Sequence, residues 1–243
     1  MYKECKSHPL LTQYIETYWA IEGFVPGGAN HRVLPDGCVD IIFSFDVKTG
    51  KLKPLIVGTM TVFEDVLYSG EFKMIGVRFN PGGITALTRI PVWHFTNSKI
   101  DAFSAETIFN NQFYEGLEGK TTEDIFSYID SFLLGKLSSL IIPDQRIQYA
   151  ISLIRKHNGN FSIAELAEKS CLSNRQFERR FLSAVGVSAK TFSRIIRFRN
   201  TCNFIQTTTQ QSLFDTAIDC GYYDHAHLIK DFKSLSGYSP KEL

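Results

Sequence analysis

The feature of this chain that most restricts its fold is an internal repeat with a period of about 50 residues. Residues 163–186 and 213–237 share one pattern of apolar, small and glycine positions. The matched pairs are Ala167 and Ala217, Cys171 and Gly221, Phe177 and Leu228, Phe181 and Phe232, and Gly186 and Gly237. Such a repeat predicts two copies of one small supersecondary unit.

Each copy has the pattern of a helix-turn-helix, over about 162–186 and about 212–237. Polar residues typical of N-caps stand at the predicted helix starts: Ser162, Ser173 and Asp224. In each second helix two large apolar residues are four apart, so they share one face, which must be buried. The pattern therefore predicts second helices over 174–185 and 225–236, each with a free opposite face.

The free faces of these second helices carry side chains that read base edges in DNA. They are Asn174, Arg175, Glu178, Arg179, His225, His227 and Lys230. Arginine donates two hydrogen bonds to guanine, asparagine pairs with adenine, and glutamate accepts from cytosine. The alternative is that these groups only solvate a surface helix. A shared metal ion is disfavoured for the two histidines, because helix positions two apart point in different directions.

A single helix over 188–206 is predicted to connect the two units, since its apolar residues follow helical spacing. This helix would fix the separation of the two second helices. If the separation matches one turn of duplex, about 34 to 36 Å, both helices enter successive major grooves on one face of DNA. Basic residues of the connecting helix are candidates for phosphate contacts, or else ordinary surface charges: Lys190, Arg194, Arg197 and Arg199.

The charge of the chain is divided between its two parts. Residues 145–243 hold 14 Lys and Arg against 8 Asp and Glu, a net charge of +6, whereas the preceding residues hold 12 against 17, a net charge of −5. A basic half favours a polyanionic partner such as nucleic acid, although many proteins that bind no nucleic acid carry similar charges.

The residues before this basic half, 1–142, are predicted to form an α+β domain with antiparallel strands followed by helices. Short runs rich in Val, Ile, Phe and Tyr read as strands at 38–45, 55–60, 62–68 and 72–79. Turn residues at 46–51 and 69–71 separate these runs in pairs, which predicts two hairpins. The pattern changes to helix from Gly82 onward, with Thr121 as the cap of a longer helix. We place the domain boundary at Pro143, so that 143–243 form an all-α domain.

The C-terminal part closely resembles the DNA-binding domain of the AraC/XylS transcription regulators. The pattern A-x-D-x-G-Y-x-D-x-A-H at 217–227, the residues Gly-Tyr-Ser-Pro at 237–240 and the residues Gly-Val-Ser-Ala-Lys at 186–190 carry the resemblance. It implies a seven-helix domain that binds double-stranded DNA through two helix-turn-helix units, and an activator that contacts RNA polymerase. It also places base reading on the seven residues given above.

One departure from that family pattern is Cys171, which stands where the first turn commonly has glycine. A residue with a side chain at a positive φ carries strain, so this turn is expected to be less stable than usual.

The N-terminal part is similar to a domain often found ahead of such DNA-binding units, with 32–38 and 77–83 as its recurrent patches. The similarity implies a sensory domain or one that forms a homodimer. Arg32, Asp36 and Arg78 are candidates for a pocket that takes an acidic small-molecule effector. The alternative is that Pro-Asp-Gly and Asn-Pro-Gly-Gly are turn sequences only.

Two other classes of function remain as alternatives. A metal-dependent β-barrel enzyme would need two His and a carboxylate on one face. The three histidines before residue 145 are not spaced as a His-x-His pair: His8, His31 and His94. A protein-interaction module that has lost DNA binding is the second alternative, and the Lys and Arg on the free faces argue against it. We expect neither enzymatic activity nor a cofactor or metal.

The address expected from the sequence is the cytoplasm. No apolar run approaches the roughly 20 residues that span a bilayer, and the first residues lack the apolar core of a signal peptide. We therefore expect no membrane partner.

Overall fold

The structure is a computed structural model that describes residues 1–46, 49, 52–105, 107–208 and 212–242. An antiparallel six-stranded sheet with short helices after it is followed by a helical C-terminal region. The predicted fold class, α+β and then an all-α double helix-turn-helix, is therefore confirmed.

All strand pairs of the sheet are antiparallel, in the order β1-β2-β5-β3-β4-β6. The strands are β1 (Tyr2–Cys5), β2 (Ile15–Val33), β3 (Val39–Phe45), β4 (Leu52–Val57), β5 (Glu64–Phe79) and β6 (Lys99–Asp101). Phe45 lies opposite Leu52, which confirms the hairpin predicted around 46–51. Most of its connection lies outside the described residues.

The second predicted hairpin, at 69–71, was wrong, because β5 runs through these residues without turning. Gly70 has a φ of +68° and pairs with Val25, next to a register shift between Val25 and Ala29 in β2. The glycine and its neighbours therefore form an irregularity that lets two long strands bend together, as bulges do. Glycine in a strand gives the same sequence signal as glycine in a turn.

Two helices follow the sheet, α1 (Asn111–Glu115) and α2 (Thr122–Gly135). Thr121 caps α2 as predicted, since its side chain accepts a hydrogen bond from the backbone N–H of Asp124. The prediction of helix throughout from Gly82 onward missed β6. One apolar core, from Leu11 to Leu140, joins the sheet to these helices.

The C-terminal region holds six α-helices among the described residues after 144, one fewer than the resemblance implies. They are α3 (Gln145–Lys156), α4 (Ile163–Lys169), α5 (Asn174–Val185), α6 (Ala189–Thr207), α7 (Leu213–Asp219) and α8 (His225–Ser236). Two further apolar clusters lie here, one around Phe177 and Phe181 and one around Leu228 and Phe232. The connecting helix α6 contributes to both clusters, so it joins the two repeat units.

Among the described helices, none combines the length and the apolar character needed to cross a bilayer.

Candidate nucleic-acid interface

The second helix of the first unit, α5, is oriented by two buried phenylalanines. Phe177 and Phe181 are fully buried, and their rings lie 5.6 Å apart. The Ser173 side chain accepts a hydrogen bond from the Gln176 backbone N–H, and the Gln176 side chain accepts one from the Ser173 backbone N–H. Together these two bonds form a capping box. The candidate base-reading residues on the opposite side are all exposed: Asn174, Arg175, Glu178 and Arg179. The first turns of α5 are thus exposed to solvent.

The second helix of the second unit, α8, is held in the same way. Leu228 and Phe232 are fully buried, and Asp224 caps the helix by accepting from the backbone N–H of His227 at 2.7 Å. His225 and Lys230 are exposed. The two units therefore present equivalent faces, each one beginning directly after a capped turn.

His227 differs from the other six candidates, because it is half-buried and has neighbours within the unit. Its ring packs edge-on against Tyr222 with centroids 5.2 Å apart, and Nδ1 accepts from the Tyr223 backbone N–H at 3.5 Å. The Nε2 atom lies 3.9 Å from Asp231 Oδ2. These contacts leave His227 less available to DNA than His225.

The four basic candidates on α6 divide into two pairs. Lys190 and Arg199 are exposed. Arg194 is bound to the buried Asp231 at 2.7 Å, and Arg197 lies over the Tyr222 ring and donates to the Gly159 carbonyl. These two arginines thus join α6 to the helices around it, which makes Lys190 and Arg199 the stronger candidates for phosphate contacts.

Residues of the sheet domain bind the C-terminal end of α5. The hydroxyl of the buried Thr59 donates to the Val185 carbonyl at 2.6 Å, and the Thr96 hydroxyl donates to the Gly186 carbonyl at 2.6 Å. The last carbonyls of a helix have no partner within the helix, so these hydroxyls satisfy them. Gly186 has a φ of +89°, and a Cβ on it would lie 2.8 Å from the Thr96 hydroxyl.

The sheet domain also binds the C-terminal end of α8, through Arg32. Arg32 Nη1 donates to the Ser236 carbonyl at 3.1 Å, while Nε and Nη2 donate to the Asp65 carboxylate. The guanidinium lies 4.0 Å from the ring centroid of Phe63 and 4.3 Å from that of Tyr238. A cation at a helix C-terminus is favourable because the exposed carbonyls are partially negative. The sheet domain thus contacts the ends of both second helices.

Comparisons with known proteins match two separate parts of the chain. Residues 166–243 match the family described as a helix-turn-helix domain, and residues 3–101 match a domain of unknown function, DUF6597. An uncharacterized HTH-type transcriptional regulator of Haemophilus influenzae is 29% identical over 102 residues, which are 42% of this chain and 34% of that protein. The chain thus spans about a third of the length of the curated relative that it matches.

Residues 166–243 thus contain a helix-turn-helix DNA-binding domain, similar to those of AraC-type regulators. A helix-turn-helix domain and a relative described as a transcriptional regulator agree with the regulator, instead of an enzyme, that the sequence predicts. In the part of the chain that the structure describes, no three His, Cys, Asp or Glu side chains are grouped so that they could hold a metal ion.

Solved structures with similarity include an AraC-type transcriptional regulator from Chromobacterium violaceum, at 21% identity over 40% of this chain and 88% of that one, with a TM-score of 0.38. ToxT from Vibrio cholerae is 11% identical over 93% of this chain and 96% of its own, with a TM-score of 0.47. One ToxT structure contains an unsaturated fatty acid.

The sheet ahead of the helix-turn-helix domain lines a cavity of about 410 Å³. Two of the three residues predicted for an effector pocket, Asp36 and Arg78, line this cavity. The third, Arg32, is not among its lining residues. Sequence reasoning missed Trp19 and Asp40, which also line it. A lone aspartate within the apolar run 38–45 was the available signal, since a buried strand seldom holds a carboxylate without a partner.

Asp40 is the centre of a small polar cluster in this cavity. Its carboxylate accepts from Trp19 Nε1 at 2.6 Å and lies 3.3 Å from Arg78 Nε, which is also 3.5 Å from Asp36. Burial raises the pKa of the Asp40 carboxyl to about 6; Arg78 acts in the opposite direction, and Asp36 adds to the increase. The cluster therefore places two acids and one base side by side in the cavity.

The turn of the first helix-turn-helix unit contains the strained residue that the sequence predicts. Cys171 has a φ of +53°, and its counterpart Gly221 has a φ of +78°. We expect Cys171→Gly to increase the free energy of unfolding by about 0.5 to 1 kcal/mol in urea denaturation, because it removes the Cβ that disfavours this conformation. Cys171→Ala is the control, since it keeps the Cβ. An equal gain from alanine would contradict the strain explanation.

Proposed function

We propose that this protein regulates transcription by binding one double-stranded DNA site with two recognition helices, α5 and α8, which enter successive major grooves. The observation that carries the proposal is the equivalence of the two units. Each recognition helix begins after a capped turn, buries two apolar residues on one side and exposes polar residues on the other. One helix, α6, joins the apolar clusters of both units and so holds them at a fixed separation.

The proposed contacts divide into base reading and phosphate binding. Residues on the first turns of the two recognition helices read bases: Asn174, Arg175, Glu178, Arg179, His225, His227 and Lys230. Lys190 and Arg199 bind phosphates, with smaller contributions from Arg194 and Arg197, which have partners within the protein. Phosphate contacts provide affinity for any sequence, and base contacts provide the preference for one site.

A salt titration tests the electrostatic part of this interface. Affinity is expected to fall steeply with salt, and Lys190→Ala is expected to reduce the slope of log K against log salt by about one on specific and random DNA alike. Lys6→Ala removes the same charge from an exposed position in the sheet domain and is expected to leave the slope unchanged. A flat salt dependence of the unmodified protein would contradict DNA binding through this surface.

We also propose that residues 1–142 form a regulatory domain and that 143–243 form the DNA-binding domain. The apolar core of the first part ends at Leu140, and the next cluster begins at Ile147, which supports this boundary. The resemblance to AraC/XylS regulators supports a cytoplasmic activator that contacts RNA polymerase. Transcription from a promoter that carries the selected site, measured with and without the protein, tests the direction of regulation.

The contacts between the two domains support regulation of DNA binding by the sheet domain. In the segment 32–38, residues that line the cavity alternate with residues that contact the DNA-binding domain. Val33, Asp36 and Cys38 line the cavity. Arg32 binds the end of α8, Leu34 packs against the cluster around Phe232, and Gly37 approaches Phe192 of α6 so closely that a Cβ would lie 2.6 Å from its ring.

The segment 58–60 has the same arrangement. Gly58 and Met60 line the cavity, and Thr59 between them binds the Val185 carbonyl at the end of α5. A ligand that displaces the cavity wall would therefore shift the contacts that hold both recognition helices. Occupancy of the cavity and the positions of the helices are coupled through these two short segments.

Replacement of Arg32 tests this coupling. We expect Arg32→Ala to speed hydrogen exchange in the last turn of α8 roughly 5- to 30-fold, because it removes a charged hydrogen bond and two cation–π contacts. Lys3→Ala is the control, since it breaks an exposed ion pair with Glu123 within the sheet domain. Unchanged exchange in α8 would show that the sheet domain does not stabilise the end of this helix.

A further inference from the structure

The cavity in the sheet domain suggests what kind of effector this protein takes. We propose that it binds a small molecule that carries a positive charge on an apolar, aromatic or alkyl body, such as an arylalkylamine. This assignment replaces the acidic effector expected from the sequence. The inference rests on the proposed function only where it states that the ligand changes DNA binding. The preference of the cavity for a cation does not depend on that function.

The size and walls of the cavity fit an apolar body. Its volume of about 410 Å³ lies within the usual range for small-molecule sites. Most of the lining is apolar, with aliphatic residues of four strands, two methionines and several aromatic rings. The lining residues that would contact an apolar or aromatic body include Trp19, Ile42, Met60, Val66, Tyr68 and Met74. Methionine side chains adapt to ligands of different shapes, and aromatic faces attract cations.

The charges that line the cavity favour a cation. Asp36, Asp40 and Glu64 are the acids and Arg78 and Lys99 are the bases, which gives a net charge of −1 when all are ionised. Glu64 and Lys99 form an ion pair with each other, and both side chains are about 40% exposed, so they belong to the rim. The inner charges are then two carboxylates and one guanidinium, whose side chains are all less than a quarter exposed.

Arg78 does not make the cavity suitable for an anion, because its Nε already lies within 3.5 Å of both carboxylates. An anionic ligand would bring a third carboxylate beside the buried Asp40 and the half-buried Asp36, which is unfavourable because like charges repel. An ammonium group would instead neutralise the excess negative charge. The oxygens of Asp36 and Asp40 retain lone pairs to accept its hydrogen bonds.

Three probes of the same shape and different charge test the proposal on the full chain: phenylbutylamine, phenylbutanol and phenylbutyrate. At about pH 8, above the pKa of the Asp40 carboxyl, calorimetry is expected to give a Kd for the amine about ten-fold lower than for the alcohol, with the acid weakest. Quenching of Trp19 fluorescence, recorded with Trp93→Phe so that Trp19 is the sole indole, locates the probe in the cavity.

Asp36→Asn is the decisive variant, because asparagine keeps the oxygen that accepts from the Cys38 backbone N–H and removes the charge. It is expected to abolish the preference for the amine over the alcohol. Glu123→Gln removes one exposed carboxylate outside the cavity and is expected to leave that preference intact. Stronger binding of the acid, equal binding of amine and alcohol, no binding of any probe, or an unchanged preference in Asp36→Asn would overturn the assignment.

DNA binding is measured separately, so that the two proposals fail independently. If the amine is preferred and the affinity for the selected DNA site changes about ten-fold or more with saturating amine, both proposals are supported. If the amine is preferred and the DNA affinity is unchanged, the ligand class stands and the coupling between cavity and helices is wrong. If the protein binds no DNA, the regulator function is wrong, whereas the charge preference of the cavity is still decided by the calorimetry.

Discussion

Arg175→Ala and Arg179→Ala are each expected to weaken binding to the specific DNA site by about 1 to 3 kcal/mol, that is, roughly 5- to 150-fold. Both side chains are exposed on the first two turns of α5, opposite the buried Phe177 and Phe181. Each arginine that donates two hydrogen bonds to guanine contributes preference at one base pair, so its loss relaxes the preference at that position. Competition binding against single-base variants of the site measures both effects.

The neighbouring Arg180 provides the matched control on the same helix. Its guanidinium is bound to Asp144 at 3.0 Å, at the start of α3. Arg180→Ala removes the same charge from α5 and is expected to change specific binding by well under ten-fold, with no change in base preference. If Arg175→Ala and Arg179→Ala weaken binding to specific and random DNA equally, these residues bind phosphates and do not read bases.

Phe198→Ala is expected to lower the free energy of unfolding by about 3 to 5 kcal/mol. Phe198 is fully buried on α6, and its ring packs edge-on against Phe232 of α8 with centroids 4.9 Å apart. The substitution leaves a cavity between the connecting helix and the second recognition helix. Urea denaturation measures the loss, and hydrogen exchange is expected to place it in α7 and α8 more than in α4 and α5.

Two variants accompany this substitution. Phe198→Leu keeps most of the side-chain volume and is expected to cost less than alanine, so it provides folded protein for DNA binding. Ile218→Ala truncates an apolar residue of the same unit that is half exposed, and it is expected to cost under about 0.5 kcal/mol. A loss from Ile218→Ala as large as that from Phe198→Ala would show that α8 is not held mainly through the connecting helix.

The C-terminal half of the fold was predictable because its signals are local. Phe177 with Phe181, and Leu228 with Phe232, specify which face of each recognition helix is buried. Ser173 and Asp224 specify where these helices begin. Local periodicity and capping depend only on residues within a few positions of each other, so a single sequence contains them.

The sheet was less predictable, because its longest pairing joins distant residues. Ile15 of β2 lies opposite Phe79 of β5, and the two strands continue together to Val33 and Glu64. Gly70 of β5 gave the signal of a turn where the strand only bends. This nonlocal register decides which strands pair. It also brings two acids and an arginine together in one cavity.

The roles of several basic residues could not be predicted for the same reason. Arg194 is a basic residue of α6 that the sequence offers as a phosphate contact, but in the fold it binds Asp231 of α8. Arg32 stands in a turn-like sequence, and its contact with Ser236 joins residues 204 positions apart. A sequence pattern identifies the type and exposure of such residues, whereas the folded contact decides what they bind.

Binding-site selection from random duplexes with the full chain shows whether one or two recognition helices read the DNA. We expect two conserved half-sites about 10 to 10.5 base pairs apart, with Arg175→Ala changing the preference in one and Lys230→Ala changing it in the other. A single half-site, or two variants that alter the same base pairs, would contradict the claim that both recognition helices read one DNA site.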